Sequence, residues 1–584
     1  MKNAPFHRSY QILAKKFLQY LFPSLLTTIA LSLNEFVDSM LVANLLGSHA
    51  MAVVNLGFPV MLLMATIYTL LGVGGSTLYA VALGERRPER AGKILCLSLL
   101  AAGALGCTVM AVGLFWPELV IPILCQDSNL AEDFSVYFHV LALSAPLLSL
   151  VLTFVAFLPP SGVPQLATAV NIVANVVNLL MDYIYITCLH MGAEGAAWAT
   201  LTGYLAGILL IPVILFLKGR ADIRYTPASL KDLSLLRECV DTGGAAAMTQ
   251  FGFAVKFAAC NALATLYGGT SGVVAFSFCL QAFSLVSVFY GGIVSAAMPL
   301  LAVLHGQRDF SGAQYILKKA LRYSVVSVAV FVAWFEIAPE QAAGIYDIVE
   351  PEEVALAALG LRIFALCFLF RCVCIVFMYY LQVLGEKRYA MAVSLFDGFA
   401  GLVPMAYLLC SFMGLDGLWW AHPLNAVLLL AGILLYNRRL SGERYKGLLL
   451  AEREDTALRT WEFTMDGDMT NATRISGQII AICEASGLEP VKAKTVGLML
   501  EEMAIYNKGH LKIVEDYDVL LHLYDDHMEI DFRSLGDSCN PLQDSELDEE
   551  CNIAVLRRVS SALDYDYVLG MNSTHIVINL DRKG

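Results

Sequence analysis

Long apolar stretches dominate the chain from about residue 17 to residue 437, and short polar segments separate them. Each stretch is close to the ~20 residues that an α-helix needs to cross the hydrocarbon core of a bilayer. Lipid cannot hydrogen-bond free backbone groups, so these stretches must be helical. The pattern predicts an all-α polytopic membrane protein of about twelve transmembrane helices, at residues 17–43, 54–82, 94–115, 135–158, 164–187, 193–217, 239–266, 272–301, 319–338, 354–382, 389–411 and 416–436.

Lysine and arginine residues occur in alternate connections between these spans. Lys15 and Lys16 precede the first span, Arg86 and Arg87 follow the second, and Arg308 follows the eighth. The intervening connections contain neither residue type: 117–133, 189–195, 267–272, 338–353 and 412–417. The positive-inside rule therefore places both termini in the cytosol and predicts a multi-pass protein of the cytoplasmic membrane.

The membrane-spanning part contains an internal repeat. The segment Gly84–Leu95 matches Gly306–Leu317, and Pro117 matches Pro339 at the same offset along the chain. Six spans per half make the two repeats parallel, related by an axis along the membrane normal. Repeats of this kind are common in secondary transporters, whose binding sites lie near the midplane between the halves. We therefore expect two six-helix lobes, residues 1–222 and residues 223–440.

Charge separates the last quarter of the chain from the rest. Residues 441–584 carry 27 acidic and 14 basic residues, and this net charge of −13 equals that of the whole chain. An acidic segment of this kind argues against nucleic acid as a partner. Only 15% of all residues are charged, against about 25% in soluble domains. The shift predicts a cytosolic domain at residues 450–584.

The pattern of the tail is that of a small α/β domain. Its hydrophobic periodicity alternates between the strand period and the helix period. We expect strands at Leu458–Met465, Tyr517–Leu523, Met528–Arg533 and His575–Leu580, and helices at Asn471–Ala485, Pro490–Tyr506 and Asn552–Leu563.

Two acidic residues interrupt the apolar spans of the first half. Asp38 lies in the first span and Asp182 in the fifth, and charged residues at membrane depth are costly and usually functional. Asn178 precedes Asp182 by four residues and so shares its helix face. Two carboxylates and an amide oxygen suit a shared proton or a sodium ion. The pattern predicts an ion-coupling site with no other cofactor; the alternative is a structural hydrogen-bond network.

Further charges lie in the first span of each half and in the tenth and eleventh spans. Glu35 and Lys256 occupy the first and seventh spans, and both are candidates for the wall of a central substrate cavity. Lys256 either neutralises Glu35 or binds an anionic substrate group, and pairing is the simpler interpretation because a lone buried charge is costly. Arg371 and Asp397 form a second candidate pair.

Several segments resemble the multidrug and toxic compound extrusion (MATE) family. These are Phe22-Pro23-Ser24, Val37–Val42, Gly72–Ser76, Asn178–Ile186 and Gly192–Thr200. The DinF-like branch is the most similar, and it implies an exporter that exchanges protons or sodium for organic compounds through acids of its N-terminal half. The same resemblance adds Tyr137 and Thr200 to the ion site. An Arg-x-x-Gly turn common in the family is replaced by Pro159–Pro164.

The tail resembles the histidine-kinase-like ATPase fold of anti-sigma-factor kinases in two short motifs. Glu502 and Asn507 match the first motif, and Gly536 matches the second. The match is degenerate: the Glu and Asn of that family lie four residues apart and here five, which rotates Asn507 off the shared helix face. Ser534 replaces an adenine-reading Asp. We therefore expect a regulatory or binding module for a ligand or protein, not an active ATPase or kinase.

These features predict a secondary transporter, not an enzyme. Its partners would be the lipid bilayer and a small organic substrate, which the sequence does not identify. Two alternatives remain open: a flippase for lipid-linked sugars from the same superfamily, and a membrane-anchored sensor or kinase that signals through its tail. The paired acids in a membrane part of zero net charge favour the exporter.

Overall fold

The computed structural model describes residues 8–125, 128–218, 223–345, 350–442, 445–452, 459–466, 469–510, 516–540, 542 and 560–580. Within these ranges, a few helical residues have no described side chain, among them Glu35, Glu502 and Asn507. All positions below refer to the described part of the chain.

The membrane part is helical throughout. Its α-helices are α1 (Gln11–Leu56), α2 (Phe58–Ile67), α3 (Gly74–Gly84), α4 (Pro88–Phe115), α5 (Pro117–Leu124), α6 (Ser128–Phe157), α7 (Pro164–Tyr183), α8 (Ala193–Lys218), α9 (Leu233–Gly306), α10 (Phe310–Ile337), α11 (Pro339–Ile345), α12 (Pro351–Val383), α13 (Lys387–Leu395), α14 (Leu402–Met413) and α15 (Leu415–Leu440). Wider π-helical turns join several of these helices, at Tyr68–Val73, Ile184–Cys188 and Phe396–Ala400, and a 3₁₀ turn at Leu230–Asp232 precedes α9.

Eleven helical segments of the described chain are long and apolar enough to cross a membrane. One of them, α9, has 74 residues, more than three times the ~20 that one crossing needs. Its backbone is not helical at Gly269 (φ 59°, ψ −147°). A Cβ atom on Gly272 would lie 2.7 Å from the carbonyl oxygen of Ala264, an approach that a straight helix does not allow. The chain therefore reverses direction at Gly269.

The contacts of the tail give an independent count of the crossings. Arg86, between α3 and α4, pairs with Asp531 of the tail, and Asp309, between α9 and α10, pairs with Arg533 of the tail. Both connections therefore lie on one side of the membrane, and an even number of crossings separates them. Four other spans lie between them, so α9 crosses twice. The described chain thus holds eleven candidate spans, one of which, α9, doubles back at Gly269.

The repeat is visible in the backbone of the two halves. Gly47 in α1 (φ 81°) and Gly269 in α9 (φ 59°) interrupt their helices at equivalent positions of the repeat, and the equivalent residues Arg86 and Arg308 share a φ of 56°. These positive φ values mark equivalent sharp turns. The two halves thus share sharp turns at positions related by the offset of the repeat.

The backbones of the two halves contact each other at Gly84 and Gly306, which lie at the axis between the halves. A Cβ atom on Gly84 would lie 2.2 Å from the carbonyl oxygen of Val303, and one on Gly306 would lie 2.2 Å from the carbonyl oxygen of Val81. Val81 and Val303 are themselves equivalent positions of the repeat, so the contact is reciprocal. Glycine is required at both positions because the two backbones touch.

The tail combines two helices with two sheets. Strands β1 (Tyr445–Lys446) and β2 (Ala451–Glu452) form a short hairpin after α15. An antiparallel sheet of order β3-β4-β5-β7-β6 follows, flanked by two helices. Their bounds are β3 (Arg459–Asp466), α16 (Met469–Ala485), α17 (Pro490–His510), β4 (Asp516–Leu523), β5 (His527–Leu535), β6 (Ala562–Val568) and β7 (Met571–Asn579).

One prediction for the tail was wrong at its end. The helix expected at Asn552–Leu563 does not reach Leu563, because residues 562 and 563 belong to β6 and pair with Val577 and Ile576 of β7. Residues 551–559 lie outside the described part of the chain. The alternation in Leu563-Asp564-Tyr565-Asp566-Tyr567 has the strand period and was overlooked.

Each face of the larger tail sheet has its own covering. One face packs its apolar side chains, such as Val519, Ile530 and Ile576, against α16 and α17. The opposite face is largely polar and docks onto the membrane part. Asp518, Asp531 and Arg533 on this face are each at most 2% exposed. The alternating pattern of the strands thus separates an apolar core from a charged docking surface.

Asp309 lies at the centre of the docking surface. Arg8 donates to both of its carboxylate oxygens, at 2.7 Å and 2.8 Å, and Arg533 of β5 binds it from the tail. Burial alone would raise the pKa of this carboxyl, but the two guanidinium groups hold that pKa well below its ordinary value. Burial would also raise the pKa of Asp531, but Arg86 and the other charged partners of this carboxyl together lower it more, so this pKa too lies below its ordinary value. Both carboxylates therefore stay charged at any physiological pH.

Candidate functional site

Helices α1 and α7 form the frame of the candidate ion site. Two side-chain contacts join them at successive levels: Thr27 donates to the Thr168 hydroxyl at 2.9 Å, and Asn34 Nδ2 donates to Asn178 Oδ1 at 3.2 Å. Pro23 interrupts the backbone ladder of α1, and its carbonyl oxygen accepts a hydrogen bond from Thr168 at 3.0 Å. These contacts bring the first and fifth spans together along the stretch that carries the acids.

Asp38 and Asp182 lie within interaction range of each other in this frame. Asp182 is fully buried. Apart from the contact between the two acids themselves, neither carboxyl oxygen of Asp182, nor Oδ1 of Asp38, has a hydrogen-bond partner among the described atoms. No described Lys, Arg or His forms an ion pair with either acid. Two facing carboxyls in such a place repel each other unless a proton or a cation lies between them.

The three other residues predicted for this site, Asn178, Tyr137 and Thr200, differ in their contacts with the acid pair. Asn178 is buried next to the acids and held by Asn34. Tyr137 of α6 is 4% exposed and lies in the electrostatic field of both carboxyls. The hydroxyl of Thr200 donates to Ala196 of its own helix at 3.0 Å, and no described contact joins it to the acid pair.

Small residues allow these close approaches. A Cβ atom on Gly57 would lie 2.7 Å from Cε1 of Tyr137, so the ring packs directly onto the turn before α2. A Cβ atom on Gly203 of α8 would lie 2.5 Å from the carbonyl oxygen of Ala174 and 2.9 Å from Cβ of Asn178. Helix α8 therefore packs directly against α7 and fixes its position.

Sequence reasoning missed two amides of this site, Asn34 and Asn175. Asn34 bonds Asn178, and the Nδ2 group of Asn175 is buried without a partner among the described atoms. The signal for Asn175 was available: Asn171, Asn175, Asn178 and Asp182 follow one another at helical spacing and form a polar stripe on α7.

The site offers oxygen ligands of one kind. Two carboxyls and the nearby amides provide the hard oxygen atoms that bind protons or alkali cations. Among the described residues, no group of three or more His, Cys, Asp or Glu side chains converges as transition-metal sites require.

The C-terminal half holds a second charged cluster, of opposite sign. Arg371 Nη2 lies 2.8 Å from Asp397 Oδ2, which confirms the pairing expected for these residues, and Lys256 Nζ lies 3.9 Å from the same oxygen. Asp397 is therefore the described partner of Lys256. The side chain of Glu35 lies outside the described residues, so the pairing of Lys256 with Glu35 stays a prediction.

The degenerate nucleotide motif of the tail is only partly described. The side chains of Glu502 and Asn507 lie outside the described residues. Gly536 adopts a φ of 140°, and its carbonyl oxygen accepts a hydrogen bond from Tyr567. Asn572 donates to the carbonyl oxygen of the next residue, Asp537, at 3.1 Å. Side chains of β6 and β7 thus occupy the hydrogen-bonding groups of this loop.

Comparison with known proteins agrees with this architecture. The family model MatE matches residues 23–184 and 245–408, two segments whose first residues are equivalent positions of the repeat. The multidrug export protein MepA of Staphylococcus haemolyticus (strain JCSC1435) is 22% identical over 379 residues, which cover 64% of this chain and 82% of that protein. MepA of Staphylococcus aureus (strain MSSA476) is 21% identical over 413 residues, which cover 70% and 89%.

The fold has counterparts among solved structures. An outward-facing multidrug resistance MATE family transporter of the MOP superfamily aligns with a TM-score of 0.68 at 21% identity. The alignment covers 75% of this chain and 98% of that one. The two segments that match the family model span more than half of the sequence and coincide with the two halves of the fold. This chain therefore belongs to the MatE family.

Proposed function

We propose that this protein is a cation-coupled antiporter that exports organic compounds across the cytoplasmic membrane, with its tail in the cytosol. Asp38 and Asp182 form its coupling site, Asn178 and Tyr137 complete that site, and the coupling ion is a proton or sodium. Relatives named as multidrug export proteins support export of organic compounds. The family resemblance also implies Thr200 as a member of this site.

The unpartnered oxygens of the acid pair carry this proposal. A carboxylate at membrane depth costs at least about 2.5–3.5 kcal/mol, and two facing carboxylates cost more. A bound proton or cation removes the repulsion. The site therefore changes its net charge with occupancy. Such a change favours one conformation of the transporter when the ion binds the two conformations with different affinity.

The tail serves this transporter as a docked module without catalytic activity. Its polar sheet face is occupied by Arg8, Arg86 and Asp309 of the membrane part. Its Gly536 loop is closed by hydrogen bonds from Tyr567 and Asn572. These contacts favour a regulatory role over an ATPase or kinase.

The test uses the full-length protein in proteoliposomes. Efflux of ethidium, an organic cation, and of 2-naphthoate, an organic anion, is followed under an imposed proton gradient and, separately, a sodium gradient. Wild-type protein should accelerate efflux of at least one compound under one gradient. Asp38→Asn and Asp182→Asn should each remove the gradient-driven component.

Asp416→Asn is the matched control, because Asp416 is an exposed carboxylate in the first turn of α15. It should behave like wild type. Circular dichroism and size-exclusion profiles establish that each variant is folded. Gradient-driven efflux at the wild-type rate by both acid variants would rule out this coupling site. Absence of gradient-driven efflux in the wild-type protein would rule out the antiporter.

A further inference from the structure

A cavity in the C-terminal half lies between α9, α12 and α15. It is a partly open cleft whose interior holds about 20 Å³, and the space between its walls and its open mouth totals about 350 Å³. Aromatic rings form most of its wall: Phe253, Phe257, Phe276, Phe283 and Phe364. Phe257 is 44% exposed while the other lining side chains are mostly covered, so the cavity opens beside that ring.

Two cations lie in this wall with one described carboxylate between them. Lys256 is 7% exposed and Asp397 is 4% exposed. Among the described side chains, Asp397 is the one acid within ion-pairing distance of Lys256 or Arg371. The described side chains of this cluster therefore sum to one positive charge. His422 lies on the opposite wall. An imidazole is either neutral or positively charged, so His422 cannot reduce the positive charge of the cluster.

The guanidinium group of Arg371 is incompletely used. It contacts a single oxygen of Asp397, although an arginine presents five N–H donors. Its buried Nε has no hydrogen-bond partner among the described atoms. Arg371 lines the cavity, and a guanidinium group with unused donors is suited to a carboxylate or sulfonate group of a ligand.

The aromatic rings hold the cations by their faces. The guanidinium carbon of Arg371 lies 4.8 Å from the centre of the Phe283 ring, and Lys256 Nζ lies 5.7 Å and 5.8 Å from the Phe253 and Phe283 rings. These are cation–π distances. A ligand that adds a flat ring next to Phe364 and a negative group next to Arg371 would extend the same stack.

The repeat relates this cavity to the acid site of the other half. The offset that takes Gly84 to Gly306 also takes Asp38 to Cys260 of the cavity wall and Asn34 to Lys256. The equivalent location in the first half thus holds a carboxylate, and here it holds a thiol next to an ammonium group. The two halves offer equivalent sites for ions of opposite charge.

We propose that this cavity binds the transported substrate and that the substrate is an aromatic organic anion. Its ring packs among the phenylalanines while its carboxylate or sulfonate pairs with Arg371 and Lys256. This inference rests on the proposed export function, since it assigns the substrate of that exporter.

The test measures equilibrium binding to the full-length protein in nanodiscs. Three probes share one ring system and differ in charge: 2-naphthoate, 2-naphthamide and 2-naphthylmethylammonium. The wild type should bind 2-naphthoate at least tenfold more tightly than either other probe. Lys256→Gln removes the excess charge and should weaken 2-naphthoate binding at least tenfold.

Two further variants separate charge from folding. The double variant Arg371→Gln with Asp397→Asn keeps one net positive charge without leaving an unpaired acid, so 2-naphthoate should still bind more tightly than 2-naphthamide. Arg362→Gln is the control, because Arg362 lies on the same helix α12 but is 45% exposed and pairs with Glu340. It should bind all three probes as the wild type does.

Equal affinity for the three probes would overturn the inference, as would a Lys256→Gln variant that binds 2-naphthoate like Arg362→Gln. Displacement of 2-naphthoate by chloride, with 2-naphthamide bound equally well, would identify a simple anion site and would also overturn it. Asp182→Asn distinguishes the two proposals: gradient-driven efflux should stop while 2-naphthoate still binds. Gradient-driven ethidium efflux without any 2-naphthoate binding would sink this inference alone.

Discussion

Asp38 and Asp182 place two carboxyl groups inside the N-terminal half, whereas Lys256 and Arg371 place two cations around one carboxylate inside the C-terminal half. The backbones of the two halves nevertheless share their turns, down to the φ of 56° at Arg86 and Arg308. The turns and the glycine contact at the axis depend on backbone geometry, which allows few substitutions. A charged side chain at membrane depth requires a compensating partner. Either sign of charge can meet this requirement, so the sign can differ between the repeats.

An exchange of equivalent residues tests whether the sign determines the role of each half. Asp38→Cys gives the first half the residue of the second, and we expect the gradient-driven component of efflux to fall at least tenfold. The reason is that one acid alone no longer creates the repulsion that ion binding relieves. Cys260→Asp, added to Asp38→Cys, should not restore it, because Lys256 neutralises the new carboxylate. Restored gradient-driven efflux in the double variant would mean that the halves are interchangeable.

The tail also contacts the two halves with opposite charges, Arg86 in the first and Asp309 in the second. Asp309→Asn leaves Arg8 and Arg533 buried without their shared carboxylate. Breaking a buried pair costs about 3–5 kcal/mol, so docking of the tail should weaken by two orders of magnitude or more. Limited proteolysis that releases the tail measures this, and Arg308→Gln, an exposed neighbour, should leave the rate unchanged.

The same contact predicts a flat response to pH. The pKa of Asp309 is lowered from its ordinary value of 3.8, so its contribution to docking is complete above about pH 4 and disappears only as the pH falls through the lowered pKa. The release of the tail by protease should therefore be equal at pH 5.5 and pH 7.5. A clear increase in release between those two values would show that another group controls docking.

The axis between the halves predicts a symmetrical effect. Gly84→Ala and Gly306→Ala each push a methyl group against a carbonyl oxygen 2.2 Å away, and overpacking of this kind costs about 1–3 kcal/mol. Both variants should lower the midpoint of thermal unfolding in detergent by similar amounts. Gly291→Ala, a helical glycine of α9 with open space around it, should be neutral or slightly stabilising. Unequal effects of the first two variants would show that the halves do not meet symmetrically.

The smallest expected effect concerns Asn34, the residue equivalent to Lys256. Asn34→Ala removes its hydrogen bond to Asn178, worth about 0.5–1.5 kcal/mol. The concentration of coupling ion that gives half-maximal efflux should rise several-fold, while the maximal rate stays near that of the wild type. Asn55→Ala, an exposed amide of the same helix, is the control. A loss of maximal rate would instead make Asn34 part of the ion site itself.

Much of the membrane fold was predictable, because lipid permits few backbone solutions. Hydropathy located the spans, and the constant offset of the repeat gave the equivalence of the halves. Hydropathy did not reveal that α1 and α9 continue into the next span without a loop, since a single residue, Gly47 or Gly269, makes each turn.

Side-chain partners were less predictable than spans. The sequence pointed to Asp38 and Asp182 because a charge in an apolar run stands out, and to Asn178 because it lies one helical turn before Asp182. The contact of Lys256 with Asp397 joins α9 to the turn after α13, and no sequence spacing encodes that approach. Asn34 was not predicted, because an amide in a span is a weaker signal than a charge.

The docking of the tail was not predicted. Alternating charges in β4 and β5, such as Asp518, Asp531 and Arg533, are typical of a strand face that water covers. Here they are buried by Arg8 and by the connections of both halves. A solvated face and a docked polar face have the same sequence pattern, and only the position of the second body distinguishes them.

A polar docking face gives the tail an unusual sensitivity to its medium. Apart from the apolar residues Leu535, Val568, Leu569 and Met571, which join the core of the membrane part, the described contacts of the larger sheet with that part are ion pairs and hydrogen bonds. Detachment of the tail would therefore expose little apolar surface, and the freed sheet would remain soluble. Dissolved salt screens opposite charges once they separate, within about 8 Å at 0.15 M ionic strength. Ionic strength, more than heating, is thus the variable that should shift the balance between a docked tail and a free one.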